Sequence, residues 1–219
     1  MSRPAAPAAP TRQRRKEERP QELLQAALEL FVDRGFSATR SEEVAKQAGV
    51  AKGTLYRYFP SKEELFKAVV REHLVTRLDD FAAAAAQHQG RVQDLLRHMM
   101  QTWWASVGQG AAGGISKVML VEARNFPELA QFYVDEVIQP THELIGRLVQ
   151  QGIDRGEFRP VPIAATVHVL ISPLLQMMLQ EHSFGACGQR PSGVGAPEML
   201  DAQMSLLLSG LLAEPASKI

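Results

Sequence analysis

The sequence predicts an all-α protein, with a small N-terminal three-helix unit joined by a long helix to a larger helical domain. Three observations carry this. Apolar residues recur at three- and four-residue spacing through most of the chain. Glycine or proline separates most of these runs. No segment alternates apolar and polar residues for long, and no repeat of 20–50 residues is present.

Residues 1–19, dominated by Ala, Pro and Arg, read as a disordered arm. The cluster Arg12, Arg14, Arg15, Lys16 serves there either as a phosphate-seeking charge or as a solvated tail. From Pro20 the pattern turns helical: Leu23, Ala27 and Leu30 share a stripe that Leu24 and Phe31 widen. Pro20 suits a first helical turn, and Gly35 suits a C-terminal cap. Thr39 and Glu42 have capping-box spacing, so a second helix is expected to start at Thr39. It turns Val44, Ala45 and Ala48 inward and ends at Gly49. A third, short helix runs over 52–59 and is broken at Pro60. Ser61 caps a long fourth helix, with Glu63 and Glu64 in its electropositive first turn. Further helices are expected over 91–107, 113–124, 127–155, 161–183 and 197–213, and the Gly- and Pro-rich stretch 185–197 as a loop.

The 219 residues carry no net charge, but the charge is uneven. Residues 1–60 hold 11 Lys and Arg against 7 Asp and Glu, and the remainder 13 against 17. A basic front suits a polyanionic partner. The apolar stretch 161–179 is interrupted by Pro162, His168, Ser172, Pro173 and Gln176, so no membrane span is expected. The N-terminus lacks the apolar core of a signal peptide, and the single Cys187 fits a reducing cytoplasm as a passive thiol. No nucleophile elbow, phosphate loop or paired-carboxylate motif suggests an enzyme. The six histidines are scattered without metal-ligand spacing, so neither metal nor cofactor is expected. His168, among Val167, Val169 and Leu170, reads as a core histidine.

Two helices joined by a tight turn need a small residue where they cross and a glycine where the chain reverses. Ala45 and Gly49, followed by Val50, meet that need. The next helix places Lys52, Thr54, Tyr56, Arg57 and Tyr58 on a few exposed turns, side chains that suit phosphates and base edges. Leu55 and Phe59 face inward, and Gly53 permits close approach of backbone to a phosphate.

The run Gly35-Phe36 to Thr39, then Glu43-Val44-Ala45, Ala48 through Phe59, Lys62 and Leu65-Phe66 resembles the DNA-binding signature of the TetR family. The resemblance is gap-free over about 47 residues, 20–66. It implies that the third helix enters the major groove, that Lys52, Gly53, Thr54, Tyr56 and Tyr58 contact DNA, and that Lys62 holds a phosphate. Ala51 stands where the family usually has Ser or Thr, removing a side-chain cap worth about 0.5–2 kcal/mol. Arg40 replaces a common Ser or Thr and adds a candidate phosphate or base contact. With Thr39 and Arg57 it completes the expected DNA-contacting set. Ser41 stands where an apolar residue is usual.

Residues 67–215 are expected to form the ligand-binding and dimerisation domain. The run Val121 to Ala130, with Tyr133 and Gly156-Glu157-Phe158, resembles the C-terminal domain of many TetR-type regulators. Met99, Met100, Trp103, Trp104, Met119, Phe132, Tyr133 and Met177, with Met178, form an adaptable apolar set that is either a pocket lining or plain core. The last two long helices carry more apolar surface than one protein face uses. The expected dimer interface takes Ile163, Val167, Leu170, Leu174 and Met178 from one and Leu207 and Leu211 from the other. The resemblance implies a homodimer through these helices, a pseudo-palindromic double-stranded operator, and repression relieved by an apolar or aromatic small molecule. Control by a protein partner is the alternative; a filled core in the second domain would favour it.

Overall fold

A computed structural model describes residues 12–189 and 193–213. Among these residues the chain is helical, with no strand and one isolated antiparallel bridge between Phe158 and Leu212. Helix α1 (Arg12–Arg34) is followed by α2 (Ser41–Gln47), α3 (Lys52–Tyr58) and α4 (Lys62–Val70). A π-helical turn, Arg71–Val75, continues α4 without a break into α5 (Thr76–Gln87). Then come α6 (Val92–Trp103) with a second π turn (Trp104–Gly108), α7 (Gly114–Glu122), α8 (Pro127–Tyr133) with a third (Val134–Ile138), α9 (Gln139–Asp154), α10 (Ile163–His182) and α11 (Ala196–Leu211).

Two boundaries differ from the sequence expectation. The α1 backbone is already helical from Arg12, and Pro20 lies inside the helix rather than opening it. Arg, Gln, Lys and Glu are good helix formers and no glycine or proline interrupts Arg12–Arg19, so that stretch of the expected arm joins α1. Residues 1–11, and the side chains of the Arg12, Arg14, Arg15, Lys16 cluster, lie outside the described residues. The second helix starts at Ser41, capped by Arg40 rather than Thr39. The Glu43 carboxylate closes the cap by accepting from the Arg40 N–H at 3.2 Å, displacing the expected Thr39–Glu42 box by one residue. Ser61 caps α4 as expected, its hydroxyl accepting from the Glu64 N–H at 3.1 Å.

Two buried clusters organise the molecule. The first joins α1–α4 through Phe31, Phe36, Leu55 and Phe66, and continues without a gap into Ile115 and Val118 of α7 and Leu129 of α8. The second packs α6, α9, α10 and α11 around Leu96, Val149, Phe158, Leu170 and Met204. α10 is long and apolar enough to cross a membrane by length and composition. Here its Val167, Leu170, Leu174, Met177 and Met178 are buried against the other helices, and Gln203 of α11 donates to the Leu170 carbonyl.

Candidate functional site

The turn between α2 and α3 is built by two short-range devices. Gly49 adopts φ +66, and the Val50 N–H returns to the Ala45 carbonyl at 2.9 Å, closing α2 while Ala45 is buried at the crossing. α3 then starts from Ala51, which supplies no side-chain cap. Of its seven residues only Leu55 is buried; Lys52, Gly53, Tyr56 and Arg57 are exposed, and Thr54 and Tyr58 are half-buried. Lys52 is ion-paired with Glu42 of α2 and lies 5.7 Å over the Tyr56 ring. The hydrogen bond from Lys52 holds the Glu42 carboxyl below its ordinary range. The Arg57 guanidinium covers the Tyr58 ring at 5.2 Å. Each cation is therefore held by a neighbouring group on the exposed surface of α3. Gly53 has no positive φ, and a Cβ built on it would meet nothing within 4 Å. A helical glycine costs about 0.5–1 kcal/mol relative to alanine, and nothing inside this protein requires it.

Two residues of the expected DNA-contacting set are engaged elsewhere. Thr39 is buried, and its hydroxyl is directed at the Leu30 and Gly35 carbonyls (3.1 and 2.8 Å), so it fastens the α1–α2 turn. Lys62 points its ammonium at the carbonyls of Phe36, Ser37 and Thr39 (2.9, 3.4 and 3.2 Å) and over the Phe36 ring at 4.4 Å. An ammonium has three protons, and three carbonyls receive them, so Lys62 ties the same turn instead of presenting a free charge. Arg40 is exposed. Ser41, in place of an apolar residue, is nonetheless buried.

That turn is also gripped from the second domain. Glu122, at the end of α7, is 6% exposed and accepts from the Ser37 N–H (2.9 Å), the Ser37 hydroxyl (2.7 Å) and Asn125 Nδ2 (3.3 Å). Burial opposes its charge, but these hydrogen bonds and the field of Lys62 outweigh it and hold the carboxyl below its ordinary range. One turn earlier, Lys117 donates to the Val32 carbonyl of α1 (3.1 Å) and to the His182 carbonyl at the end of α10 (2.8 Å). Gly114 lets α7 approach α1 closely: a Cβ there would come within 2.3 Å of Val32 Cγ1. None of these long-range contacts has a sequence signature beyond the glycine.

The other side of α7 faces a cavity of about 400 Å³, within the usual range of roughly 300–1,000 Å³ for ligand sites. Met99, Met100, Trp103, Met119 and Tyr133 line it, as does Met178. Trp104, Phe132 and Met177 do not: all three are buried, Trp104 and Met177 in the second core cluster and Phe132 beneath the cations of Lys67 and Arg71. Sequence reasoning missed the contributions of Phe81 on α5, Val134 and Ile138 on the third π turn, and the pair His142 and His168. His168 is exposed at the cavity and meets His142 edge to face, with centroids 4.8 Å apart, so it is not the core residue its apolar neighbours suggested.

The expected dimer stripe also turns inward. Val167, Leu170, Leu174, Met178 and Leu211 are buried within the single chain, and Ile163 and Leu207 are half-buried. These helices are apolar nearly all round, and the exposed side carries Ala165, Val169 and Ser172 of α10 and Ala202, Leu206 and Ser209 of α11. Val169 and Leu206 are 52% and 74% exposed.

Comparison with known proteins matches residues 23–69 to the family model "Bacterial regulatory proteins, tetR family" and residues 86–184 to "Tetracyclin repressor-like, C-terminal domain". The uncharacterized HTH-type transcriptional regulator YfiR of Bacillus subtilis is 29% identical over 157 residues, covering 69% of this chain and 74% of the relative. The HTH-type transcriptional repressor KstR2 of Mycobacterium tuberculosis is 30% identical over 143 residues, 64% of this chain and 68% of the relative. The crystal structure of the transcriptional regulator FadR from Bacillus subtilis, in complex with stearoyl-CoA, superposes with a TM-score of 0.70 at 18% identity, covering 87% of this chain and 98% of that one. With its DNA-binding signature and its C-terminal domain both matched, the chain belongs to the TetR family of DNA-binding transcriptional regulators.

Proposed function

We propose that the protein is a homodimeric repressor that reads a pseudo-palindromic operator with α3 and leaves it when an apolar small molecule occupies the cavity. The observation that carries the reading is α3 itself: a seven-residue helix with one buried anchor, Lys52, Tyr56 and Arg57 outward, Tyr58 half-buried, and a glycine that no contact inside the chain requires. Lys52, Thr54, Tyr56, Arg57 and Tyr58 supply the base and phosphate contacts, with Arg40 beside them and the Gly53 backbone close to a phosphate. Thr39 and Lys62 position α3 indirectly, by fixing the turn before α2. The cavity favours a small ligand over a protein partner, since a partner-controlled domain needs no interior space. The stearoyl-CoA complex of FadR and the repressor KstR2 support the same direction. A DNA-binding regulator of this kind works in the cytoplasm.

The test is selection of bound duplexes from a random pool. Two inverted half-sites, with centres about 34–36 Å apart or a multiple of that, are the expected result. A single asymmetric site, or no sequence preference, would refute the dimeric reading.

Lys62 and Arg57 separate the two kinds of role. Lys62→Met is expected to lower stability by about 1.5–3 kcal/mol, the worth of charged hydrogen bonds, with the salt dependence of operator binding unchanged. Arg57→Ala is expected to leave stability alone and reduce the salt slope by about one. A Lys62→Met protein of normal stability with a reduced slope would instead put that charge on a phosphate.

A further inference from the structure

The chemistry of the cavity wall narrows what it takes, on the reading that it is the effector site. Among the described residues the wall carries no Lys, Arg, Asp or Glu. Most hydroxyl protons of the wall are already committed: Thr141 donates to the Val137 carbonyl at 2.6 Å, Ser172 to the His168 carbonyl at 2.7 Å, and one proton of the Ser116–Tyr133 pair bridges their oxygens at 3.1 Å. Beside the other proton of that pair and the indole of Trp103, the wall offers two imidazoles that meet on adjacent helices, His142 of α9 and His168 of α10. Neither ring is hydrogen-bonded to another described residue. His142 is half-buried and His168 exposed, and the wall residues Leu120 and Ile138 are exposed too, so the pair sits where the cavity opens.

We propose that His142 and His168 form the polar anchor of the effector site, and that the effector is an uncharged apolar molecule bearing one hydrogen-bonding oxygen, an alcohol or a carbonyl. A neutral imidazole donates from one nitrogen and accepts at the other, so the pair can both receive and return a hydrogen bond. Burial, with the neighbouring His168, disfavours the charged form of His142. The charged neighbours of His142 on α9, Glu143 and Arg147, pair with each other at 3.8 Å and are absent from the wall. On the third π turn, Glu136 pairs with Arg71, and Asp135 accepts from Gln131. A carboxylate or ammonium drawn into this wall would lose its hydration without meeting a counter-charge, whereas a neutral oxygen loses little.

The experiment displaces a neutral fluorophore, N-phenyl-1-naphthylamine, from the full-length protein at pH 7.5 with 1-decanol, decanoate or decylammonium. Decanol is expected to displace it at a concentration at least about tenfold lower than either ion. His142→Phe and His168→Phe preserve bulk; each is expected to keep fluorophore affinity, which reports an intact cavity, and to weaken decanol about five- to tenfold. His142→Gln, which restores a hydrogen-bonding group, is expected to recover most of that loss. Equal displacement by decanoate or decylammonium, or wild-type response to decanol in both Phe variants, would overturn the anchor while leaving the sensor reading intact. A fluorophore that never binds the wild-type protein would overturn the cavity as a ligand site, and the sensor reading with it.

Discussion

A protein carrying both Val169→Glu and Leu206→Glu is expected to sediment as a monomer and to lose operator affinity by about 10²–10⁴-fold. Two half-sites read by linked recognition helices gain from effective concentration, and a monomer forfeits that gain without losing any contact of its own. The two side chains are the most exposed apolar groups on α10 and α11, flanked by Ala165, Ser172, Ala202 and Ser209, small residues that would let a second pair of helices approach. Carboxylates placed there cost the folded chain little, since both positions are solvated, but each would be desolvated at a two-fold interface. Leu174→Glu is the contrasting control. Leu174 is 5% exposed and lies on the cavity wall, so its replacement is expected to destabilise the chain itself. Sedimentation equilibrium separates the cases. A folded double variant that stays dimeric would place the interface on another face.

That contrast shows where sequence reasoning stops. The helical segments were legible because their apolar spacing is local and glycine or proline ends them; Gly35, Gly49 and Pro60 mark three such ends in the first sixty residues. Which side of an almost wholly apolar helix faces its own core is not a local property. α10 has leucine, isoleucine, valine or methionine on most of its faces, and only the packing of α7, α9 and α11 decides that Leu170 and Leu174 turn in and Val169 out. The π turns were equally hidden, because Arg71–Val75, Trp104–Gly108 and Val134–Ile138 have ordinary helical composition. In the binding face, residue type was informative where exposure is dictated by a short helix, as in α3. It gave no sign of the contacts of Thr39 and Lys62 within the chain, whose partners are carbonyls of a turn that only tertiary structure brings within reach.

Glu122→Ala is expected to destabilise the protein by about 2–4 kcal/mol and to weaken operator binding beyond that global loss. The substitution removes charge-assisted hydrogen bonds and strands the Ser37 N–H and hydroxyl and Asn125 Nδ2. It also takes the counter-charge from Lys62, which holds the same turn from the opposite side. Glu122→Gln tests the charge alone: it keeps the volume and one acceptor, so a smaller loss of about 1 kcal/mol is expected at neutral pH. Because the native carboxyl ionises below the ordinary glutamate range, its contribution is present above that range and is lost as pH falls through the depressed value. The wild-type protein should therefore lose stability on acidification more steeply than Glu122→Gln, with the two curves converging at low pH. Urea unfolding followed by tryptophan fluorescence in steps from about pH 7 down to about pH 3 measures the difference, and parallel pH profiles over that range would show that the charge of Glu122 contributes nothing. The functional consequence follows from α7 having two sides. Met119, Leu120 and Ala123 line the cavity while Lys117 and Glu122 hold α1 and the turn before α2, so a shift of α7 by a bound ligand strains both grips together. A ligand can shift the equilibrium only by its preference for one arrangement, commonly 1–3 kcal/mol of coupling, and operator DNA must weaken ligand binding by the same factor. In Glu122→Gln, with one grip loosened, that reciprocal factor is expected to shrink. A ligand whose affinity changes equally with and without DNA in both proteins would remove α7 from the path.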